Sequence, residues 1–430
     1  MNEIIFDVHS KVPVHRNVRI ISIDAKHIAL HAESANWLVL SSSELVFFNA
    51  IHAGNSILDA LKYTYKELQI TEEQCLEISK SVLSQISRYD FFTSNKGSEE
   101  ESVLDIKKNI QINLTSDCNL KCKHCYISAG RKNYEEINKN DIVKFINSLE
   151  RNRISDDIVI SGGEPLLHDD FYEISNYLES QKYNITLFTN GTKIDKNNID
   201  EIKRLVSSIQ ISMEGVSCKS FESIRGKNTY SKVISAIELI IDNDIPLIIA
   251  ITLIDSNIKD VNENIIDFLS SLKGNNVTIR VNNELERSGN ALTFPSSYFE
   301  FNVKRHEKTN EIIKKIHSLG FNYEQAGKRG ILYKNCGIGS SIIINYDGRL
   351  YPCNEFSEKS KFTINDCGDI VSIFDELNVS TNVDNSYKCS NCELRNICCG
   401  GCKQKNKKCE GVYLNPVCDR EKIYRKMAYE

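Results

Sequence analysis

"NIQINLTSDCNLKCKHCY", residues 109–126, runs from a strand pattern straight into cysteines at 118, 122 and 125. Its first seven residues alternate apolar and polar side chains, as a half-buried strand does. Three thiols then fall within eight residues. A structural zinc site takes four ligands, and a disulfide framework takes an even number in an oxidising compartment. Three thiolates can instead hold three irons of a cubane and leave the fourth iron open. The triplet sits at the C-terminal end of its strand, where barrel enzymes place their chemistry.

Outward from this stretch the pattern repeats to about Gly320. "DIVISGG", "NITLFTNG", "SSIQISMEG", "PLIIAITL" and "VTIRVNN" are further short strands, each separated from the last by a helical stretch. That spacing predicts parallel strands with right-handed crossovers. Six units fall short of the eight of a closed barrel. The expected fold is α/β, with a partial (β/α)6 TIM-like barrel over 105–320. Residues 1–95 read as three strands ("VRIISID", "HIALHA", "NWLVLS") followed by three helices, the first marked by serine caps and Gly54, and 93–102 as a polar linker. From about 330 to 430 the chain has little periodicity and is rich in Cys, Gly and Asn. Such a stretch builds no large apolar core and needs another staple, for which metal clusters serve.

The chain has 430 residues, a net charge of -5 and fifteen cysteines, ten of them in the last hundred residues. The charge gives no global reason to expect nucleic-acid binding. The N-terminus lacks a secretory signal pattern, and no uncharged apolar run is long enough to span a bilayer. The expectation is a cytoplasmic protein with no membrane partner, its cysteines reduced and used for metal.

Cys118-x3-Cys122-x2-Cys125 after a first barrel strand resembles the signature of the radical S-adenosylmethionine (radical SAM) superfamily. The resemblance implies a 4Fe–4S cluster whose open iron binds the amino and carboxylate groups of SAM. One electron then splits SAM into methionine and a 5′-deoxyadenosyl radical that abstracts hydrogen. The strand ends match in order. "SGGEPLL" (161–167) supplies Gly162, Gly163 and Glu164 near the SAM amino group, and "FTNG" ends the third strand. "ISMEG" supplies Ser212 and Glu214 near ribose and methionine, and Arg225 of "SIRG" matches the partner of the SAM carboxylate. Tyr126, beside the third cysteine, joins this cofactor-binding set.

The tail resembles the seven-cysteine SPASM extension of that superfamily, which holds two auxiliary 4Fe–4S clusters. By position Cys336, Cys353 and Cys402 would hold the first, its fourth iron either open to substrate or completed by Cys367, Cys399 or Cys409. Cys389, Cys392, Cys398 and Cys418 would hold the second. A single zinc on Cys389, Cys392, Cys398 and Cys402 stays open as an alternative. Asn354 stands where sulfatase-maturing relatives carry a basic aspartate. An amide cannot take up that proton, which argues against sulfatase maturation. Cys75 and Cys218 read as small apolar residues.

The first 95 residues resemble the winged-helix element that holds leader peptides by adding them as a strand to a sheet edge. DNA binding by the same fold is disfavoured, since "KVPVHRNVR" is its one basic stretch. Together these resemblances imply a radical SAM peptide maturase that installs a crosslink, foremost a cysteine thioether, in a ribosomal precursor. Carbon–carbon crosslinking or epimerisation is the alternative within the class; a non-catalytic iron–sulfur carrier is the alternative outside it. The implied partners are the precursor peptide and a flavodoxin or ferredoxin.

Overall fold

The computed structural model describes residues 7–92, 109–130, 134–149, 154–272, 276–285, 287–300, 302–324, 329–354, 359–365, 370–403 and 418–429. The expected linker at 93–102 lies outside them, as do Cys367, Cys409 and Glu355. The chain forms two compact units. One gathers Met1–Asp105, Gly327–Cys336 and Ser380–Glu430; the other gathers Ile106–Ala326 and Gly337–Val379.

In the first unit β1 (Arg19–Ile23), β2 (Lys26–His31) and β3 (Asn36–Ser41) make an antiparallel sheet in that order. Three helices follow: α1 (Ser42–His52), α2 (Ile57–Leu68) and α3 (Glu72–Arg88). Their starts are set by side chains. Ser41 caps α1 and Thr71 caps α3, each in a reciprocal capping box with the Glu44 or Gln74 three residues on. Ala29, Leu38 and Leu40 of the sheet pack on Phe47, Phe48, Val82 and Ile86.

The second unit carries six consecutive parallel strands: β4 (Asn109–Asn113), β5 (Asp157–Ser161), β6 (Asn184–Thr189), β7 (Ser208–Ser212), β8 (Leu247–Thr252) and β9 (Val277–Asn282). Between and after them lie α4 (Lys139–Leu149), α5 (Phe171–Ser180), α6 (Ile199–Leu205), α7 (Cys218–Arg225), α8 (Tyr230–Asp242), α9 (Ile258–Ser271) and α10 (Val303–Ser318). These are the six strands and the partial barrel expected from the sequence. Ile110, Ile112, Ile209, Ile211, Ile249 and Ile279 are fully buried in one cluster with Phe145, Phe171, Ile237 and Ile265 of the helices. Each such side chain contributes roughly 1.5–3 kcal/mol of burial. The residues between them, Gln111, Asn113, Gln210 and Arg280, point to the opposite face. A sheet with helices on both faces would be apolar on both; this alternation fits one helix-covered face and one polar lumen.

Three strands lie outside the six. β10 (Asn322–Glu324) joins β9 in parallel, and β11 (Ser341–Ile344) joins β4 in parallel, with β12 (Leu350–Tyr351) antiparallel beyond it. Strand β11 comes from the segment read as lacking periodicity. Its four residues pair with β4 from Ser341↔Asn109 to Ile344↔Ile112 and extend the barrel wall. The remaining helices are α11 (Ile370–Ser380), α12 (Arg395–Cys398) and α13 (Arg420–Tyr429). Among the described residues no helix is long and apolar enough to cross a membrane.

Candidate active site

The three-cysteine loop leaves the C-terminal end of β4 and is tied down by several neighbouring elements. The Thr115 carbonyl accepts from Gly163 N at 2.7 Å, and the Asp117 carbonyl from Glu164 N at 2.8 Å. Just past β6, Asn190 Nδ2 donates to Asn119 Oδ1 at 3.0 Å. Lys123 N donates to the Ile224 carbonyl in α7 at 3.0 Å. After β9, Asn290 donates through its backbone N to Cys125 O at 2.8 Å and through Nδ2 to Cys122 O at 3.0 Å. Sequence reasoning found the first of these strand ends and missed the last. The signal for it was "SGNA" (288–291), a glycine turn just past a barrel strand.

Glycine is required at two of these contacts. A Cβ on Gly163 would lie 2.0 Å from Asp117 O, and one on Gly289 would lie 2.3 Å from Cys125 O. Neither backbone atom can move without moving the cysteines. Gly163→Ala is therefore expected to lower reconstituted iron by about four per chain, the content of one cubane. Unchanged iron would show that the loop tolerates a shift.

The thiols sit half-buried in a donor-rich loop. Leu120 N points at Cys118 Sγ (3.4 Å), Asn190 Nδ2 at the same sulfur (3.7 Å), and Ala129 N at Cys125 Sγ (3.3 Å). Burial pushes the Cys118 thiol up to about 12 and raises Cys122, against which the Arg225 charge acts. Loading of metal must displace those protons. The N–H···S bonds would then tune the potential of a bound cluster. The donor set fits a cubane with one open iron.

Glu164 is fully buried and accepts from Thr189 Oγ1 (2.7 Å), Asn190 N (2.8 Å) and Leu166 N (3.3 Å). Burial pushes its carboxyl up, partly offset by those donors. It locks the end of β5 to the end of β6, so it acts as a positioning residue. Ser212 ends β7, half-buried, and Tyr126 is 40% exposed.

Glu214 and Arg225 form a buried ion pair. Arg225 donates through Nε to Oε2 and through Nη2 to Oε1 (3.1 Å), and His124 Nε2 lies 3.3 Å from Oε1. Burial works against the Glu214 charge, but Arg225 and then His124 outweigh it and hold the carboxyl below the usual range. Arg225 Nη1 takes no partner among the described residues. His124 Nδ1 is also buried without one.

The pair is held by a residue that sequence reasoning did not find. Asn257, fully buried ahead of α9, donates to the Glu214 carbonyl (2.6 Å) and the Thr252 carbonyl (2.8 Å), and accepts from Ile254 N (2.8 Å). Asn257→Ala orphans three buried backbone groups. A loss of about 2–4 kcal/mol is expected in urea unfolding; below about 1 kcal/mol, water would be replacing the amide.

In the lumen Asn354 Nδ2 donates to Gln111 Oε1 (2.9 Å), Gln111 to Asn113 Oδ1 (2.9 Å), and Asn113 to Asn345 Oδ1 (3.2 Å). The residue after Cys353 is thus the end of an amide chain.

In the first unit one cavity is lined by Cys389, Cys392, Cys398 and Cys418, with Arg395 and Arg420 beside them. Cys418 closes it, and Cys402 is absent from its lining. Among the described residues no three His, Cys, Asp or Glu side chains converge on one ion-sized point. A zinc holds each sulfur at about 2.3 Å, whereas a cubane spreads its thiolates around a larger body. Cys399 is buried with Val383 and Tyr333, and its thiol donates to the Tyr333 carbonyl. Cys336 is exposed, while Cys353 and Cys402 are half-buried in their own units. Cys75 is buried; Cys218 is exposed at the start of α7, so apolar packing does not describe it.

Residues 112–269 match the model of the radical SAM superfamily. The mycofactocin maturase MftC of Mycobacterium ulcerans is 31% identical over 129 residues, 29% of this chain and 34% of that protein. The sporulation killing factor maturation protein SkfB of Bacillus subtilis is 24% identical over 262 residues, 57% of this chain and 63% of that protein. The chain thus spans about a third of the first and under two thirds of the second. In fold, Streptococcus suis SuiB, solved bound to precursor peptide SuiA, matches with a TM-score of 0.57 at 14% identity, over 94% of this chain and 99% of that one. Over residues 112–269 the chain is thus similar to the radical SAM superfamily.

Proposed function

We propose that the chain is a radical SAM peptide maturase that removes hydrogen from a ribosomally made precursor and installs a crosslink, foremost a cysteine thioether to carbon. The observation that carries this is the pairing of two sites in one chain: three cysteines on a glycine-pinned loop at the barrel mouth, and four more around a cavity in the tail. The names of two relatives and one fold neighbour, maturases and a precursor-peptide complex, support a peptide substrate.

A 4Fe–4S cluster with SAM on its open iron supplies the 5′-deoxyadenosyl radical when bound. Cys118, Cys122 and Cys125 hold that cluster. The Gly162 and Gly163 carbonyls accept no hydrogen bond among the described residues and are available to the SAM amino group. Arg225 Nη1 is available to its carboxylate, while Glu214 keeps the guanidinium in place. Ser212 and Tyr126 border the same mouth. Cys389, Cys392, Cys398 and Cys418 hold one auxiliary cluster, and Cys336, Cys353 and Cys402 belong to another. For a thioether, the substrate carbon would give up a hydrogen atom and the cysteine thiol a proton to solvent, and a cluster held by the tail cysteines would supply the acceptor for the remaining electron. A flavodoxin or ferredoxin supplies the electron that starts each turnover.

The test is anaerobic incubation of reduced, reconstituted chain with SAM and the short peptides encoded beside its gene. Formation of 5′-deoxyadenosine together with a peptide that has lost two hydrogens and one alkylatable thiol is expected. Two hydrogens lost with every thiol intact would mean a carbon–carbon crosslink. No 5′-deoxyadenosine would sink the proposal.

A further inference from the structure

Three Lys or Arg side chains are buried among the described residues, and two of them have a carboxylate partner. Arg225 pairs with Glu214, and Arg305 donates through Nε to Asp255 Oδ1 at 2.9 Å. The third is Lys403, in the tail of the first unit, 5% exposed. Its Nζ donates to the Cys399 carbonyl at 3.0 Å, and among the described residues no carboxylate lies within ion-pair reach of it. Burial strips the ammonium of its water, and one carbonyl does not replace a counter-charge. Such a group is costly without an anion beside it.

The anion that fits is the one the neighbouring cysteines would hold. Gly400 lines the tail cavity together with Cys389, Cys392, Cys398 and Cys418. A Cβ built on Gly400 would lie 2.7 Å from Lys403 Nζ and 3.6 Å from Cys389 Sγ. The ammonium therefore sits at the cavity wall, beside the Cys389 sulfur. The other cations around this cavity count for less. Lys388 and Arg420 are exposed and screened by solvent, and Arg395 shares its charge with Asp384. The barrel loop has the opposite balance. Its buried cation, Arg225, is already matched by Glu214, and Glu164 adds a second buried carboxyl.

A cubane on four thiolates is anionic when oxidised and gains a further negative charge on reduction, so charge beside it helps to set its potential. We propose that Lys403 is the buried counter-cation of the cluster that Cys389, Cys392, Cys398 and Cys418 would hold, and that its charge makes this site the electron acceptor of the crosslinking step. In that step the substrate loses a hydrogen atom, a proton and one further electron. Lys403 stabilises that electron on the tail site, and an oxidised flavodoxin or ferredoxin carries it off. This rests on the peptide-maturase reading above and names the acceptor that reading needs.

The test compares full-length wild type with Lys403→Met, which keeps the bulk and removes the charge, and Lys403→Arg, which keeps the charge. In the reconstituted chain, a redox titration followed by electron paramagnetic resonance reads each cluster. The tail signal is the one missing from a variant with Cys389, Cys392, Cys398 and Cys418 all replaced by alanine. Lys403→Met is expected to shift the one-electron reduction of that cluster at least tenfold toward the oxidised form, about 59 mV. Lys403→Arg should stay within threefold of wild type, and the barrel signal should not move. The iron-free chain gives the opposite sign. There the ammonium has no counter-charge, so Lys403→Met should raise the urea midpoint, whereas a side chain that merely packs would lower it. An unmoved tail potential in Lys403→Met would overturn the proposal, as would loss of tail iron in both variants. If wild type cleaves no SAM yet its tail potential depends on Lys403, the maturase reading fails and the counter-cation stands.

Discussion

Arg225→Leu is expected to destabilise the barrel by about 3–5 kcal/mol at neutral pH, because Glu214 is left charged and buried without its cation. The pH dependence gives the direction. In wild type Glu214 is held below the ordinary carboxyl value of 4.5. Its contribution is therefore fully present above 4.5 and is lost as pH falls further, toward the lowered folded value. In the variant the dominant influence is burial, which raises the carboxyl. The variant should accordingly recover stability relative to wild type as pH drops from 7 to 5, the opposite sign. Glu214→Leu/Arg225→Leu, which removes both charges, should be closer to wild type than Arg225→Leu alone. Urea midpoints at the two pH values check all three. A cost under about 1 kcal/mol at pH 7 would mean that His124 or solvent already compensates Glu214.

Replacing Cys389, Cys392, Cys398 and Cys418 together by alanine is expected to lower iron from about twelve to about eight per chain. SAM cleavage should stay within about threefold of wild type, since the barrel loop is untouched. Peptide crosslinking should fall at least 100-fold, roughly 2.7 kcal/mol in the barrier. Cys399→Ala, which removes a packed thiol outside that cavity, should leave iron unchanged. If Cys399→Ala lost as much iron as the fourfold variant, the ligand set assigned to the tail would be wrong.

What could be read in the sequence was what lies within a few residues of itself. Cys118, Cys122 and Cys125 stand out by their spacing, and the six strands by their period. The serine cap and closing Gly54 of the first helix were legible in the same local way. What could not be read depends on contacts across hundreds of residues. Asn257 looks like any loop asparagine until the fold puts it under the Glu214 carbonyl. Gly289 and Asn290 gain meaning from the cysteine loop, more than 160 residues earlier. Strand β11 is four residues among Gly, Cys and Asn, and becomes a strand through pairing with β4. Arg225 was legible as a cation at the site, but its pairing with Glu214 was not, because a motif names residue types and leaves their mutual contacts open.

The most direct test of the central claim is iron and acid-labile sulfide per chain after anaerobic reconstitution. Wild type would be measured beside a variant with Cys118, Cys122 and Cys125 all replaced by alanine. Three cubanes predict about twelve irons in wild type and about eight in the variant, with SAM cleavage lost in the variant. About four irons in wild type, all lost in the variant, would contradict the tail clusters and the maturase reading built on them.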